Sequence, residues 1–168
     1  GHVVLTRGLL ESAEEAEEIA GVVAHELGHV IERHSMQSLV RQAGLYVAIS
    51  VFTGGQADIF GTMVEAGGLL AVLAQSKEAE NEADAWAATL MRDSAIPIKP
   101  LADFMDREFG GGPDHWLSTH PATHERVAFL NREAANQRGS RRLQVDLQGL
   151  SEMCDNAGDP APFSMFGF

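Results

Sequence analysis

Ile19, Val22, Val23, Leu27, Val30 and Ile31 recur three and four residues apart, the spacing of one face of an α-helix. Ser12 followed by Glu15 reads as a capping box, so the pattern predicts one amphipathic helix from about Ser12 to about Met36. A second helix is predicted over residues 75–93, "QSKEAENEADAWAATLMRD", which holds no Gly or Pro, is rich in Ala, Glu and Leu, and ends before "SAIPIKP". "STHPATHERVAFLNREAANQ" reads as a third helix, with Pro121 as its first helical residue.

Two apolar stretches invite a membrane reading. "AGLYVAISVF" has about half the length of a span, and "IFGTMVEAGGLLAVLAQ", near the lower limit, carries Glu65 and two glycines at its centre. Both are expected to be buried helices of an α-helical core, joined by a turn at "TGGQAD", with membrane association as the alternative. The chain opens without a signal peptide, in the strand-like run "HVVLTRGLL", and has the look of a piece of something longer. From Gly139 onward the composition shifts to Gly, Pro and aromatic residues, and within it "RRLQVDLQ" alternates like a strand added to a sheet edge. That edge is the chain's own or a neighbour's, which leaves a homo-oligomer through this segment open. The expected organisation is one domain over 1–138 and an extension over 139–168.

Composition narrows the chemistry. The chain of 168 residues is 45% hydrophobic, enough for one domain with a core. A net charge of −12 argues against a nucleic-acid partner, and "RGSRR" at 138–142 is too short to override it. With one cysteine, Cys154, there is no internal disulfide and no cysteine cage for zinc. Any metal is therefore held by histidine and carboxylate.

The first helix carries "VVAHELGHVIERHS". His25 and His29, one turn apart, leave the same face and can bind one ion, while Glu26, rotated by about 100°, can reach a water beside it. Gly28 weakens the helix by roughly 1 kcal/mol relative to Ala, and its place inside the motif suits close approach of another element. A third ligand is expected from another helix. The helix over 75–93 offers Glu78, Glu80, Glu82 and Asp84, a set whose usual meaning is a solvated acidic face. A metal-binding Glu80 would place Asp84 one turn on, where it can accept the second ring N–H of a ligating histidine.

"HELGHVIERHS", then "ENEADAWA" some fifty residues on, then "STHPATHERV", resembles the gluzincin metallopeptidase family of HtpX, the CAAX prenyl protease and BepA. The match in order covers residues 22–127, and Arg33 and His34 fit the soluble, periplasmic branch better than the integral-membrane one. The resemblance implies one Zn²⁺ held by His25, His29 and Glu80, Glu26 as general base, and Asp84 as support behind a ligand. It also puts His120 of the T-H-P segment near the metal, as a resting fourth ligand or as a donor to the tetrahedral intermediate. The N-A-x-A strand that the family carries upstream of "GHVVLTRGLL" is not in this sequence.

Arg126 is a candidate partner for an acidic residue near the site. His124 is expected on the surface, His2, His34 and His115 in structural or solvent-facing positions, and Trp86 and Trp116 in the core or a cleft wall. The expectation is a mainly α (α+β) zincin-like domain with a small N-terminal β element. Its expected activity is that of a zinc metalloendopeptidase of the bacterial periplasm or cell envelope acting on unfolded or misfolded proteins in quality control. The rival is a non-catalytic, chaperone-like or scaffold domain of the same fold, against which Glu26 argues because mere binding needs no base.

Overall fold

A computed structural model describes residues 5–52, 76–108, 120–149 and 152. Its elements are α1 (Arg7–Ser12), α2 (Ala16–Ile31), α3 (His34–Phe52), α4 (Lys77–Asp93), α5 (Lys99–Arg107) and α6 (His124–Asn136). The fold is mainly helical, and no strand occurs among the described residues. The strand-like opening is a helix from Arg7 on, because the Thr6 hydroxyl caps it by accepting the Leu9 N–H at 3.3 Å. The stretches expected as strand at 1–4 and as buried helix at 59–75 lie outside the described residues.

The single helix expected from Ser12 to Met36 is broken at both ends. Ser12 belongs to α1, and α2 starts after Glu15, whose side chain makes no capping bond. Glu18 acts there instead, accepting the Glu14 N–H at 2.7 Å and pairing with Arg107 of α5 at 2.8 Å. At the far end Arg33 adopts φ 58°, a left-handed residue that closes α2 with its N–H on the Val30 carbonyl and redirects the chain into α3. As a result α3 leaves the bundle. Met36, Leu39 and Val40 on it are exposed, and so are Val47 and Val51 of the apolar stretch expected to be buried.

The core lies where α2, α4, α5 and α6 meet. Val22 and Ala24, Ala87, Ala88 and Met91, Leu101, Ala102, Phe104 and Met105, and Val127 and Leu130 close on one another, together with Leu9 and Ile98. Two glycines set how closely α2 can be approached. A Cβ on Gly28 would stand 2.9 Å from the backbone of Ala83 on α4, and one on Gly21 would stand 2.7 Å from Leu101 of α5. Such contacts exclude any larger residue without backbone movement. The small Ala83, fully buried, completes the α2–α4 approach.

Ser76 caps α4 by accepting the Ala79 N–H at 3.2 Å. A left-handed Ala95 (φ 55°) ends it, with the Ile96 N–H returning to the Met91 carbonyl in a Schellman closure. The helix expected to start at Pro121 starts instead at His124, since the Thr123 side chain provides the cap by accepting the Arg126 N–H. Residues 141–146 are not a strand: alternation found no partner strand, and the segment docks on its own domain. There the Arg141 N–H donates to the Ala95 carbonyl, the Leu143 N–H to Glu17, and Arg142 pairs with Glu15.

Candidate metal centre

The close α2–α4 approach brings together His25, His29 and Glu80, and the turn before α6 adds His120. These four offer ligand atoms all within 4.8 Å of one another, and all four residues are buried. The Nε2 atoms of His25 and His29 are 3.0 Å apart; Glu80 Oε2 lies 3.3 Å from the first and Oε1 3.4 Å from the second. Ligands held 2.0–2.1 Å from a tetrahedral zinc are about 3.3 Å from each other. The cluster therefore has the size of one coordination sphere.

The outer nitrogens decide which ring atoms face inward. His25 Nδ1 is 2.9 Å from Asp84 Oδ1, a carboxylate that can only accept, so Nδ1 carries the proton and the neutral ring turns a lone pair inward from Nε2. His29 Nδ1 is 2.9 Å from His34 Nδ1, and His34 Nε2 is 2.9 Å from Glu82 Oε2. Glu82 again can only accept, so in the tautomer with one proton on His34 Nε2 the His34 Nδ1 atom is free to accept the His29 Nδ1–H, and His29 then turns a lone pair inward. Two lone pairs and a buried carboxylate then converge on one point. Glu80 Oε2 makes no hydrogen bond there, although the Arg126 guanidinium stands 2.8 Å away as an ion pair. A cation among these atoms would satisfy both the inward ring nitrogens and the carboxylate. The donor set of histidine and carboxylate, with no thiolate, fits Zn²⁺.

The electrostatics without a metal agree. Burial by itself would lower the His25 pKa, but the contacts with Asp84 and Glu80 outweigh it and hold the ring above its ordinary 6.5. His29, with no carboxylate behind it, is lowered, burial being the main cause. Glu80 stays far below the usual carboxylate range: burial opposes ionisation, and the three histidines overcome it, His120 first. For Asp84 burial is likewise overcome, by Arg126 and then His25, so its pKa is lowered.

Arg126 holds the centre from behind. Buried to 1% exposure, it binds Asp84 through Nε (2.7 Å) and Nη2 (2.9 Å), and its Nη1 donates to the Pro121 carbonyl at 2.8 Å. One side chain thus ties α4 to the loop that carries His120. That ring sits with Nδ1 3.1 Å from Glu80 Oε1 and Nε2 3.3 Å from Glu26 Oε1. Glu26 is more open than His25, His29, Glu80 and His120, its side chain 38% exposed.

The structure therefore brings together His25, Glu26, His29, Glu80, Asp84, His120 and Arg126, and leaves Glu78 and His124 on the surface. Trp86 lies half-buried, its Nε1 donating to Glu32 at 2.6 Å. His2, His115 and Trp116 lie outside the described residues. His34 and Glu82, which sequence reasoning left as a structural or solvent position and part of an acidic face, together back His29.

Against known families, the sequence model of Peptidase family M48 matches residues 1–134. The chain belongs to peptidase family M48. Among its M48 relatives, the beta-barrel assembly-enhancing protease of Escherichia coli K12 is 27% identical over 154 residues, covering 82% of this chain and 31% of that protein. The same-named protease of Yersinia pestis is 25% identical over the same shares. A protease HtpX homolog of Ralstonia pickettii is 32% identical, over 76% of this chain and 58% of its own length. The chain thus spans about a third of the first two relatives and somewhat over half of the third.

Proposed function

We propose that this chain is the catalytic domain of a zinc-dependent metalloendopeptidase that hydrolyses unfolded or misfolded proteins in envelope quality control. The observation that carries the reading is the convergence of the His25 and His29 Nε2 atoms with the buried Glu80 carboxylate, in a family of peptidases. In this reading His25, His29 and Glu80 hold the Zn²⁺. When bound there, the metal polarises the scissile carbonyl and acidifies water at neutral pH.

Glu26 is the general base. It takes the proton of the attacking water and returns it to the amine nitrogen as the C–N bond breaks. Its position suits this work: on the residue after His25 it points about 100° away from the ligand face, and it is open enough to meet substrate. Asp84 and Arg126 hold His25 and Glu80 in place. His120 either fills the fourth position in a resting state or donates to the tetrahedral intermediate, and its contacts with both Glu26 and Glu80 are compatible with each role. We assign residues 1–138 to the peptidase domain and 139–168 to an extension.

A cell-envelope location belongs to the same proposal, supported by the relatives named for beta-barrel assembly. Among the described residues no helix is long and apolar enough to cross a membrane. The test is metal analysis of the full-length protein together with casein hydrolysis by wild type and Glu26→Gln. About one zinc per chain and an activity lost by several hundred-fold or more in the variant are expected, since the base is removed while the ligands stay. A metal-loaded wild type as inert as the variant would leave the non-catalytic rival standing.

A further inference from the structure

We infer that His34 is a positioning residue for His29, oriented in turn by Glu82, and that this relay sets part of the metal affinity of the centre. The inference rests on the metal-site reading above and names which residues hold its second histidine. The relay consists of two contacts: His29 Nδ1 to His34 Nδ1, and His34 Nε2 to Glu82 Oε2, each 2.9 Å.

A continuous helix would forbid the first contact, because residues five apart point about 140° away from each other. The left-handed Arg33 removes that restriction. It turns the chain back so that His34, first residue of α3, packs its ring on His29 with centroids 4.9 Å apart, and buries it to 1% exposure. This conformation is unfavourable for a non-glycine residue, and the two contacts it permits give the α2–α3 break a task at the site.

The relay acts by direction. Glu82 reaches across from α4 and accepts from His34 Nε2; with that single proton on the ring, His34 Nδ1 is the acceptor for His29. His29 is then held with its proton on Nδ1 and with Nε2 aimed inward, the orientation a ligating histidine needs. Without His34 the His29 ring would have no partner fixing either its tautomer or its rotation from that side.

Zinc affinity of the full chain, measured by competition with a chromophoric chelator, tests this in wild type, His34→Leu, His34→Asn and Glu82→Ala, with circular dichroism in excess zinc as the check on folding. His34→Leu is expected to bind zinc about ten- to a hundred-fold more weakly, the range for loss of an outer hydrogen-bond partner. His34→Asn, whose Oδ1 stands in for Nδ1, should recover most of that loss. Glu82→Ala, altering only an exposed side chain, should lose about threefold or more. A folded His34→Leu with affinity within about twofold of wild type would overturn the relay, as would an Asn variant no better than Leu. Should His34→Leu not fold, Glu82→Ala decides alone, and an unchanged affinity there overturns the inference. A wild type that binds no zinc would sink the metal reading itself, whereas tight wild-type binding with indifferent variants sinks only the relay.

Discussion

Behind His25 stands a carboxylate locked to a buried guanidinium; behind His29 stands a second imidazole that ends on a carboxylate at the surface. Asp84 and Arg126 are each 1% exposed and lie against the packed core of α4 and α6, whereas the Glu82 side chain at the other end is 59% exposed. The two histidines are one helical turn apart and meet the same partner, Glu80, yet their pKa values are shifted in opposite directions. Holding a ring through a buried charge couples the site to the stability of the fold. Holding it through a second imidazole and a solvated carboxylate leaves the site adjustable at little structural cost.

The largest difference should appear in Asp84→Ala. It leaves the Arg126 guanidinium buried with its main partner gone, and breaking a buried pair in this way costs about 3–5 kcal/mol. Denaturant unfolding of the metal-free protein should show that loss, while Glu82→Ala, breaking an exposed contact, should cost about 1 kcal/mol or less. Equal losses in the two variants would erase the distinction between the sides.

Gly28→Ala ranks next and should hurt both sides together. Its Cβ would stand 2.9 Å from the Ala83 backbone, forcing α4 away from α2. A destabilisation of about 1–3 kcal/mol is expected, with weaker zinc binding, because Glu80 and Asp84 move with α4. Unchanged melting and affinity would mean that the close approach does not position the ligands.

The two rings should also separate by proton count. His25, raised above 6.5, contributes stability to the metal-free domain that is fully present below its unfolded pKa and is lost as pH rises through its folded one. His29 is lowered and already neutral there. Zinc must displace any proton held on His25 Nε2, so binding should release protons and strengthen as pH rises. Calorimetry in buffers of different ionisation enthalpy counts them; no release, or release that persists when His25 alone is replaced, would contradict the assignment.

The smallest effect expected lies away from the site. Ala95→Gly relieves a left-handed alanine at the end of α4 and should stabilise by up to about 1 kcal/mol without altering zinc affinity. A change in affinity would show that the site responds to the stability of α4 in general rather than to the contacts behind each histidine.

The sequence exposed the His25 side of the centre more fully than the His29 side, for a physical reason. His25, His29, Glu80 and Asp84 stand at i,i+4 spacing on two helices, and helical periodicity places such pairs on common faces before any tertiary contact is known. Choosing Glu80 from four acidic residues took the family pattern, since the pairing of α2 with α4 is tertiary. His34 was lost because periodicity continues a helix through Arg33, where no glycine marks the left-handed turn. Glu82 was lost with it, its acidic neighbours giving it the look of a solvated face. The start of α6 could have been read better: Thr123 is a stronger cap signal than Pro121 is a first-turn signal. The docking of 141–143 on Ala95 and Glu17 leaves no trace in a local pattern.

Anomalous diffraction from crystals of the zinc-loaded protein at the zinc absorption edge tests the central claim most directly. The account predicts one strong peak per chain, about 2.0–2.2 Å from His25 Nε2, His29 Nε2 and a Glu80 oxygen, with the Nδ1 atoms of the two rings still on Asp84 and His34. A peak bound by Glu78 or Glu82, or no peak between α2 and α4, would contradict it.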